Sequence, residues 1–592
     1  MNQICQRIKN LRIELLKRNL DAWYISGTDP HASEYLPARW QTRAFISGFT
    51  GSYGNVVITH EEAGLWTDSR YFIQAEEQLK GTGIKMYKLR IPGAVSPEMW
   101  IVRKLPPGSK VGFDPQTLTV TGFRNLNNTL KKAGISMIGT PDFFENIWEN
   151  RPELPKEKVF ELKRTLTGLT GREKRNLLID VLKGYGADFQ VITALDELAW
   201  LFNLRGSDIP YNPLFTGYGV AGKNNTFLFV NPEKLTQDIK DSLQREDIIL
   251  KTYEQFEEWL KTVKGNKVLI DPNSANYAVF SVLQAKNTIA EAISPVALLK
   301  SQKNETELAG FRAAMKKDGV ALLEFFFWLT ENAGKEGVTE YIAGKKLAEF
   351  RAQQPYYMGE SFPPIVGYKA HGAIVHLNVS EEDALPLKRE GILLIDSGGQ
   401  YLHGTTDITR TIALGDVTEM QKTDYTLVLK GMIALTTAQF PEGTKGCNLD
   451  ILARKALWER GLNYGHGTGH GVGHFLNVHE GPVSIRQECS ETPVLPGMVL
   501  SNEPGIYREG EYGIRIENLL VCVEKETTGF GKFLSFETLT LCPVDTKLID
   551  IELLSEEERT WLNSYHQRVR QELKPLVRNE LQNFLEELTR EV

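Results

Sequence analysis

Gly465-His466-Gly467-Thr468-Gly469-His470-Gly471-Val472-Gly473-His474 is the stretch from which the rest of the chain is best read. His479 lies just behind it, so four of the ten histidines fall within residues 465–479. Positions 466, 470 and 474 have helical spacing, but five glycines alternate with the other residues. Each glycine costs about 1 kcal/mol against alanine inside a helix. The alternation therefore predicts extended or looped backbone. At period two, His466, Thr468, His470, Val472 and His474 share one face, and only hydrogens cover the other. Neighbouring backbone can press close on the bare side while imidazoles point at something on the other. A glycine-rich surface loop with some histidines is the plainer alternative.

Outward from that stretch, 592 residues are too many for one core and predict roughly two to four domains. Hydrophobic content of 41% and charged content of 24% are ordinary for a soluble globular protein. The net charge is −7 and there is no long Lys/Arg block, which argues against nucleic acid or an anionic membrane as partner. Residues 1–20 have mixed charge and helical spacing, without the apolar centre of a signal peptide. No window approaches the ~18 apolar residues of a membrane span. Cysteines 5, 447, 489, 522 and 542 are scattered and form no C-x-x-C pair. Their placement predicts a reducing, cytoplasmic setting and no cysteine-based zinc site.

The first segment, 1–150, opens with a helix and then a strand over Asp21-Ala22-Trp23-Tyr24-Ile25-Ser26. Further strands are expected at 55–59 and 63–66, with a helix after Asp68-Ser69-Arg70-Tyr71-Phe72. Alternating α and β elements predict a mixed sheet covered by helices. It ends near a polar linker with two prolines, Glu149-Asn150-Arg151-Pro152-Glu153-Leu154-Pro155. The second segment, 151–303, reads as a weak repeat of the first. A helix over 172–185 leads into Ala187-Asp188-Phe189-Gln190-Val191-Ile192, much as the first helix leads into Asp21-Ala22-Trp23. Asn304 and Glu307 form a capping pair that starts a new helix and a third segment, 304–592. Its tail, 549–592, is charged and helical, with apolar positions such as Leu562, Tyr565, Val569, Leu573 and Leu576. The tail is expected to pack on the body or on a partner subunit.

Four carboxylates in the third segment stand where strands should be apolar. Asp396 ends Gly391-Ile392-Leu393-Leu394-Ile395, and Asp407 opens Asp407-Ile408-Thr409-Arg410-Thr411-Ile412. Glu503 ends Met498-Val499-Leu500-Ser501-Asn502, and Glu517 lies within Ile514-Arg515-Ile516-Glu517-Asn518-Leu519. An ionised carboxylate in such a place is costly unless it is paired or coordinated. Any one of them alone reads as a half-exposed or salt-bridged strand end. Together with the histidine cluster, four carboxylates and one imidazole suit two divalent cations. Oxygen-rich ligation with one nitrogen favours manganese or cobalt, with zinc possible. Two such ions about 3.5–4 Å apart activate a water and polarise a carbonyl, which is amide or ester hydrolysis.

Asp396, Asp407, His470, Glu503 and Glu517, in that order, resemble the metal set of the pita-bread metallopeptidases, which include methionine aminopeptidase, prolidase and aminopeptidase P. Finer motifs resemble the large three-domain cytosolic aminopeptidase P. They include Gly404-Thr405-Thr406-Asp407-Ile408-Thr409-Arg410-Thr411, Phe475-Leu476-Asn477-Val478-His479-Glu480-Gly481 and Gly513-Ile514-Arg515-Ile516-Glu517-Asn518. In the earlier segments they include Trp66-Thr67-Asp68-Ser69-Arg70-Tyr71-Phe72 and Asn203-Leu204-Arg205-Gly206-Ser207-Asp208. The resemblance covers essentially the whole chain. It implies an α/β (α+β) architecture: two creatinase-like N-terminal domains, 1–150 and 151–303, then a pita-bread catalytic domain with a helical tail, 304–592.

Roles follow from the resemblance. Asp396 would bind one metal, Asp407 and Glu517 would bridge both, and His470 and Glu503 would hold the second. The ions would be manganese first, with cobalt or zinc as alternatives, and a water or hydroxide bridging them would attack the substrate. Glu503 would also move a proton toward the leaving nitrogen. His376 and His479 match histidines that stabilise the developing oxyanion, and His466 matches a further pocket histidine. Arg515 and Tyr507 would orient the carboxylates. Arg70 matches an N-domain arginine that reaches substrate across a dimer, and Trp66 reads as core or as a fence for the pocket. His474 departs from the family pattern and receives no role. The implied activity is that of an Xaa-Pro aminopeptidase, cytoplasmic and homodimeric, acting on peptides with proline second. A prolidase cutting Xaa-Pro dipeptides and a metal-free binding scaffold are the alternatives.

Overall fold

The computed structural model describes residues 3–140 and 142–592 and divides into two compact units, 1–163 with 169–299, and 164–168 with 300–592. In the first unit, helix α1 (Gln3–Lys17) precedes strands β1 (Ala22–Ile25), β2 (Asn55–Thr59), β3 (Ala63–Thr67), β4 (Lys85–Lys88), β5 (Lys110–Phe113) and β6 (Ser136–Gly139). They form one sheet in the order β4-β3-β2-β1-β5-β6. Strand β1 is buried on both faces. Trp23 and Ile25 pack into one apolar cluster with α1, and Ala22 and Tyr24 into another. A near-continuous apolar run is what helices on both sides of a sheet require.

The repeat suggested by the sequence is plain in the topology. Helix α2 (Gly171–Tyr185), held by a Thr170/Glu173 capping box, precedes β7 (Phe189–Ile192), β8 (Tyr218–Gly222), β9 (Thr226–Phe229), β10 (Ile248–Lys251), β11 (Lys267–Ile270) and β12 (Thr288–Glu291). Their order, β10-β9-β8-β7-β11-β12, matches the first sheet strand for strand, including the antiparallel centre and the parallel edges.

In the second unit, α3 (Glu305–Asn332) starts at the expected Asn304/Glu307 capping box. Beside it, β13 (Ile365–Tyr368), β14 (Ile392–Ser397) and β15 (Ile408–Ala413) form an antiparallel sheet in which Asp396 faces Thr409. Helices α4 (Glu419–Thr436) and α5 (Gly446–Trp458) follow. A larger sheet contains β16 (Gly469–Gly471), β17 (Glu480–Ile485), β18 (Val499–Asn502), β21 (Asn518–Thr528) and β22 (Gly531–Thr538). The hairpin of β19 (Gly505–Arg508) and β20 (Tyr512–Arg515) stands beside them. Helix α3 packs on both sheets, through Phe311 and Met315 against Val472 and Val499, and through Leu322 and Phe325 against Val366 and Leu393. The tail forms α6 (Glu556–Leu573) and α7 (Asn579–Leu588), whose apolar stripe joins the core of its own unit. Leu576 alone among its named positions is exposed.

The sequence reading of the histidine stretch is corrected in two places. The strand is only Gly469–Gly471 long, so the shared face does not persist. Thr468 turns to α5, where its hydroxyl donates to Asp450 at 2.6 Å. His474 is buried against Phe311 of α3, with Gly310 leaving the room for its ring. The bare side is used as expected. A Cβ on Gly469 would lie 2.0 Å from the Ser501 carbonyl oxygen, and one on Gly471 would lie 2.3 Å from that of Glu480. The scattered cysteines gave no sign of a disulfide, yet Cys447 and Cys489 form one, with Cα atoms 5.0 Å apart. The first turn of α5 presses on β17, where Gly446 meets the Ser484 carbonyl, and this closes the 42-residue separation. Cys5, Cys522 and Cys542 are free thiols.

Candidate metal centre

The predicted ligands arrive from strand ends that meet in the second unit. Asp407 lies just before β15, Glu503 just after β18, and Glu517 in the step from β20 to β21. Asp407, His470 and Glu517 each offer one ligand atom, and these atoms lie within 4.8 Å of one another. His470 Nε2 is 3.4 Å from Asp407 Oδ2 and 3.6 Å from Glu503 Oε1. Its Nδ1 faces the Gly471 carbonyl at 2.9 Å, which fixes Nε2 toward the carboxylates. Asp396 joins them through Arg515, whose Nη2 donates to Asp396 Oδ2 at 2.6 Å.

These groups fit a pair of cations better than they fit one another. Asp396 Oδ1 is buried and, among the described residues, accepts no hydrogen bond. Burial first, and neighbouring carboxylates second, push Glu517 well above the usual carboxylate range. Burial also leads in raising Asp396 and Glu503, with Asp407 adding to both against the lowering effect of Arg515. Burial alone would lower the His470 pKa, but Asp407 and Glu503 raise it to about 9. Divalent cations would neutralise this crowd of acceptors, and hard oxygen donors with one imidazole are what such ions bind.

The same shifts fix a stability trend for metal-free protein. The folded state holds protons on Asp396, Glu503 and Glu517 to higher pH than the unfolded chain does. Stability therefore falls as pH rises above the usual carboxylate pKa toward the raised values. His470 adds stability that is complete below its ordinary pKa and lost as pH rises through about 9. The expected result is a melting temperature of metal-free protein that drops, relative to manganese-loaded protein, between about pH 5 and about pH 9. Scanning calorimetry of both forms checks it, and a constant gap would refute the charge crowding.

Around the ligands runs a chain of hydrogen bonds. Arg515 Nη1 donates to Tyr507 Oη at 2.6 Å and Nε to Thr409 Oγ1 at 3.1 Å, while Thr409 donates to Glu517 Oε2 at 2.9 Å. With Arg515 donating to its oxygen, the Tyr507 hydroxyl hydrogen points to His466 Nε2, 2.7 Å away. His466 Nδ1 then carries the proton toward the Gly467 carbonyl at 2.7 Å. The structure thus sets His466 against Tyr507. His479 stands edge-on to His470, with ring centroids 4.4 Å apart. His376 is half-buried and follows the turn Lys369–Ala373, whose Gly372 lies hard against Gly513 of β20. In the first unit, Arg70 makes a bidentate ion pair with Asp68, both contacts at 2.9 Å. Trp66 is fully buried there, stacked on Tyr87, and its indole donates to Val95, so it is core.

Sequence reasoning missed several supporting residues. Arg410 is buried and donates to the carbonyls of Thr409, Glu517, Cys542 and Pro543, to Asn518 Oδ1, and to the hydroxyl of Tyr565 in α6. Arg454 of α5 pairs with Asp450 and donates to the Tyr464 and His466 carbonyls. Buried Glu340 accepts from the Tyr368 and Leu385 amides and meets His371 Nδ1, which braces the turn before His376. Arg410 lies in a motif quoted above, but an arginine on an edge strand gives no local sign that it is buried.

The comparisons with known proteins agree with this geometry. Residues 309–524 match metallopeptidase family M24 and 532–592 the C-terminal region of peptidase M24. Residues 7–146 and 150–307 each match a creatinase/prolidase N-terminal domain. Fold and acidic pocket together thus define the class as an M24 metallopeptidase behind creatinase-type domains. A probable Xaa-Pro aminopeptidase P of Paracoccidioides brasiliensis (strain Pb03) is 40% identical over 587 residues, covering 95% of each chain. The X-prolyl aminopeptidase of Caenorhabditis elegans, described as a cytosolic enzyme with a di-nuclear active site, is 35% identical with a TM-score of 0.96 over 100% of both chains. The Xaa-Pro dipeptidase of Bacillus anthracis shares the fold alone, at 23% identity and a TM-score of 0.51, covering 64% of this chain and 99% of its own. The chain belongs to the Xaa-Pro aminopeptidase P family. Among the described residues, no helix is long and apolar enough to cross a membrane.

Proposed function

We propose that this chain releases the N-terminal residue from peptides with proline in second position, using two divalent cations held by Asp396, Asp407, His470, Glu503 and Glu517. The observation that carries this reading is the convergence of those donors, with a buried Asp396 oxygen that accepts no hydrogen bond among the described residues. Manganese is the first choice of ion, with cobalt or zinc as alternatives. When bound, such ions supply Lewis acidity to the scissile carbonyl and make a water acidic enough to attack near neutral pH.

The chain's own residues do the rest. Glu503 takes a proton and delivers it to the leaving prolyl nitrogen. His376 and His479 donate to the carbonyl oxygen as charge develops on it. Arg515, Thr409 and Tyr507 hold the carboxylates in register, and His466 lines the pocket through Tyr507. A proline at the second position has no amide hydrogen and a fixed φ, so the reaction makes no use of a hydrogen bond from that nitrogen. Arg70 serves as a substrate contact across a homodimer in this reading. The three-domain division at 150/151 and 303/304 and the cytoplasmic location belong to it as well.

The test is release of arginine from Arg-Pro-Pro by metal-stripped protein, before and after manganese is restored. Activity absent on stripping and recovered with metal is expected. Cleavage of an Arg-Pro dipeptide with the tripeptide untouched would make it a prolidase. Silence on both, with no metal bound, would make it a scaffold.

A further inference from the structure

We infer that Lys300, Lys303 and Glu480 form a buried charge clamp that positions His479, and through the adjoining strand Glu503, for the reaction. Glu480 Oε2 accepts from Lys300 Nζ at 2.5 Å, and Oε1 accepts from Lys303 Nζ. All three side chains are about 1% exposed. Lys303 Nζ also donates to the Ser301 carbonyl at 3.1 Å.

Two ammonium groups meet the Glu480 carboxylate out of water, with the buried Glu307 carboxylate acting on Lys303 as well. Burying ions costs several kcal/mol each, and apolar residues of the same shape commonly give an equally stable fold. Stability alone is therefore a poor reason for such a triad, and fixed geometry is a better one. Glu480 directly follows His479. Its carboxylate rests on Gly473 and its backbone on Gly471, where a Cβ would lie 3.1 Å and 2.3 Å away, respectively. Glu480 has no freedom to slide without carrying His479 across the face of His470. The lysine segment is itself pinned to the residues that lead into β18, and Glu503 follows the far end of that strand. The Lys303 amide donates to the Gly497 carbonyl at 2.9 Å, and Gln302 bridges Met498. One four-residue segment, 300–303, thus sets the position of both the oxyanion histidine and the proton-carrying glutamate.

This rests on the roles proposed above for His479 and Glu503. Lys300→Met leaves a neutral Lys303–Glu480 pair of unchanged bulk and is the first variant, with Glu480→Gln the second. For Lys300→Met, kcat on Arg-Pro-Pro is expected to fall about tenfold, with KM within about twofold and metal content unchanged, as a small misplacement of a reacting group predicts. Affinity for an analogue with a hydroxymethylene in place of the scissile carbonyl should fall in proportion to kcat/KM, while affinity for the product Pro-Pro should hold. A Lys300→Met enzyme with wild-type kcat, beside a His479→Ala enzyme that has lost its activity, overturns the clamp and leaves the His479 role standing. Full activity in His479→Ala removes that role and the inference with it. Loss of metal, or a rise in KM matching the fall in kcat/KM, marks the triad as merely structural.

Discussion

Asp407→Ala is expected to leave no measurable release of arginine from Arg-Pro-Pro, at least about 10³-fold below wild type, because the metal chemistry has no substitute among side chains. Asp407 has the most to lose of the five proposed ligands. Its Oδ2 is the carboxylate atom nearest His470, at 3.4 Å, and it belongs to the set within 4.8 Å that includes Glu517. It also raises the pKa of Asp396, Glu503 and Glu517, so its charge reaches every other carboxylate of the centre. Four carboxylates balance two divalent cations, and three do not. Elemental analysis should therefore find the variant short of metal after dialysis that leaves the wild type loaded. A variant that keeps both its ions and its rate would show that the ligand set has been misread.

His376→Ala and His479→Ala form the second large effect. Each is expected to lower kcat by about 10² to 10³, the range for losing one donor to a developing oxyanion. KM and metal content should change little, since neither imidazole belongs to the ligand set. The two differ in support. His479 sits edge-on to His470 and is followed by Glu480. His376 hangs from a turn braced by Glu340 and His371, with Arg515 Nη2 3.4 Å from the Val375 carbonyl. Steady-state kinetics with metal analysis on the same samples separates the outcomes. Loss of metal from either variant would make it a ligand rather than a donor.

Much of this was legible along the chain because it is local. The Asn304/Glu307 box needs only three residues of spacing, and strand ends bearing Asp396 and Glu503 stand out against their apolar runs. The doubled N-terminal sheet showed in the likeness of Asp21-Ala22-Trp23 to Ala187-Asp188-Phe189, because the same buried central strand follows a helix each time. What escaped depends on tertiary placement. Glu480 meets Lys300 across 180 residues, and Arg410 meets Tyr565 across 155. No local period encodes either. His474 packs against Phe311 and Gly310 of α3, and the Thr468 hydroxyl turns to Asp450 in α5. Two cysteines became a disulfide because α5 lands on β17, which spacing could not foretell.

The bond from Arg410 to Tyr565 also bears on when this protein can begin to work. The arginine holds the backbone of Glu517, yet three of its acceptors, Cys542, Pro543 and Tyr565, lie later in the chain. A chain that has emerged only as far as Asn518 carries all five proposed ligands but not the three later acceptors that hold Arg410 in place. The support of Glu517 is thus complete only once residues 542–565 have folded back onto Arg410.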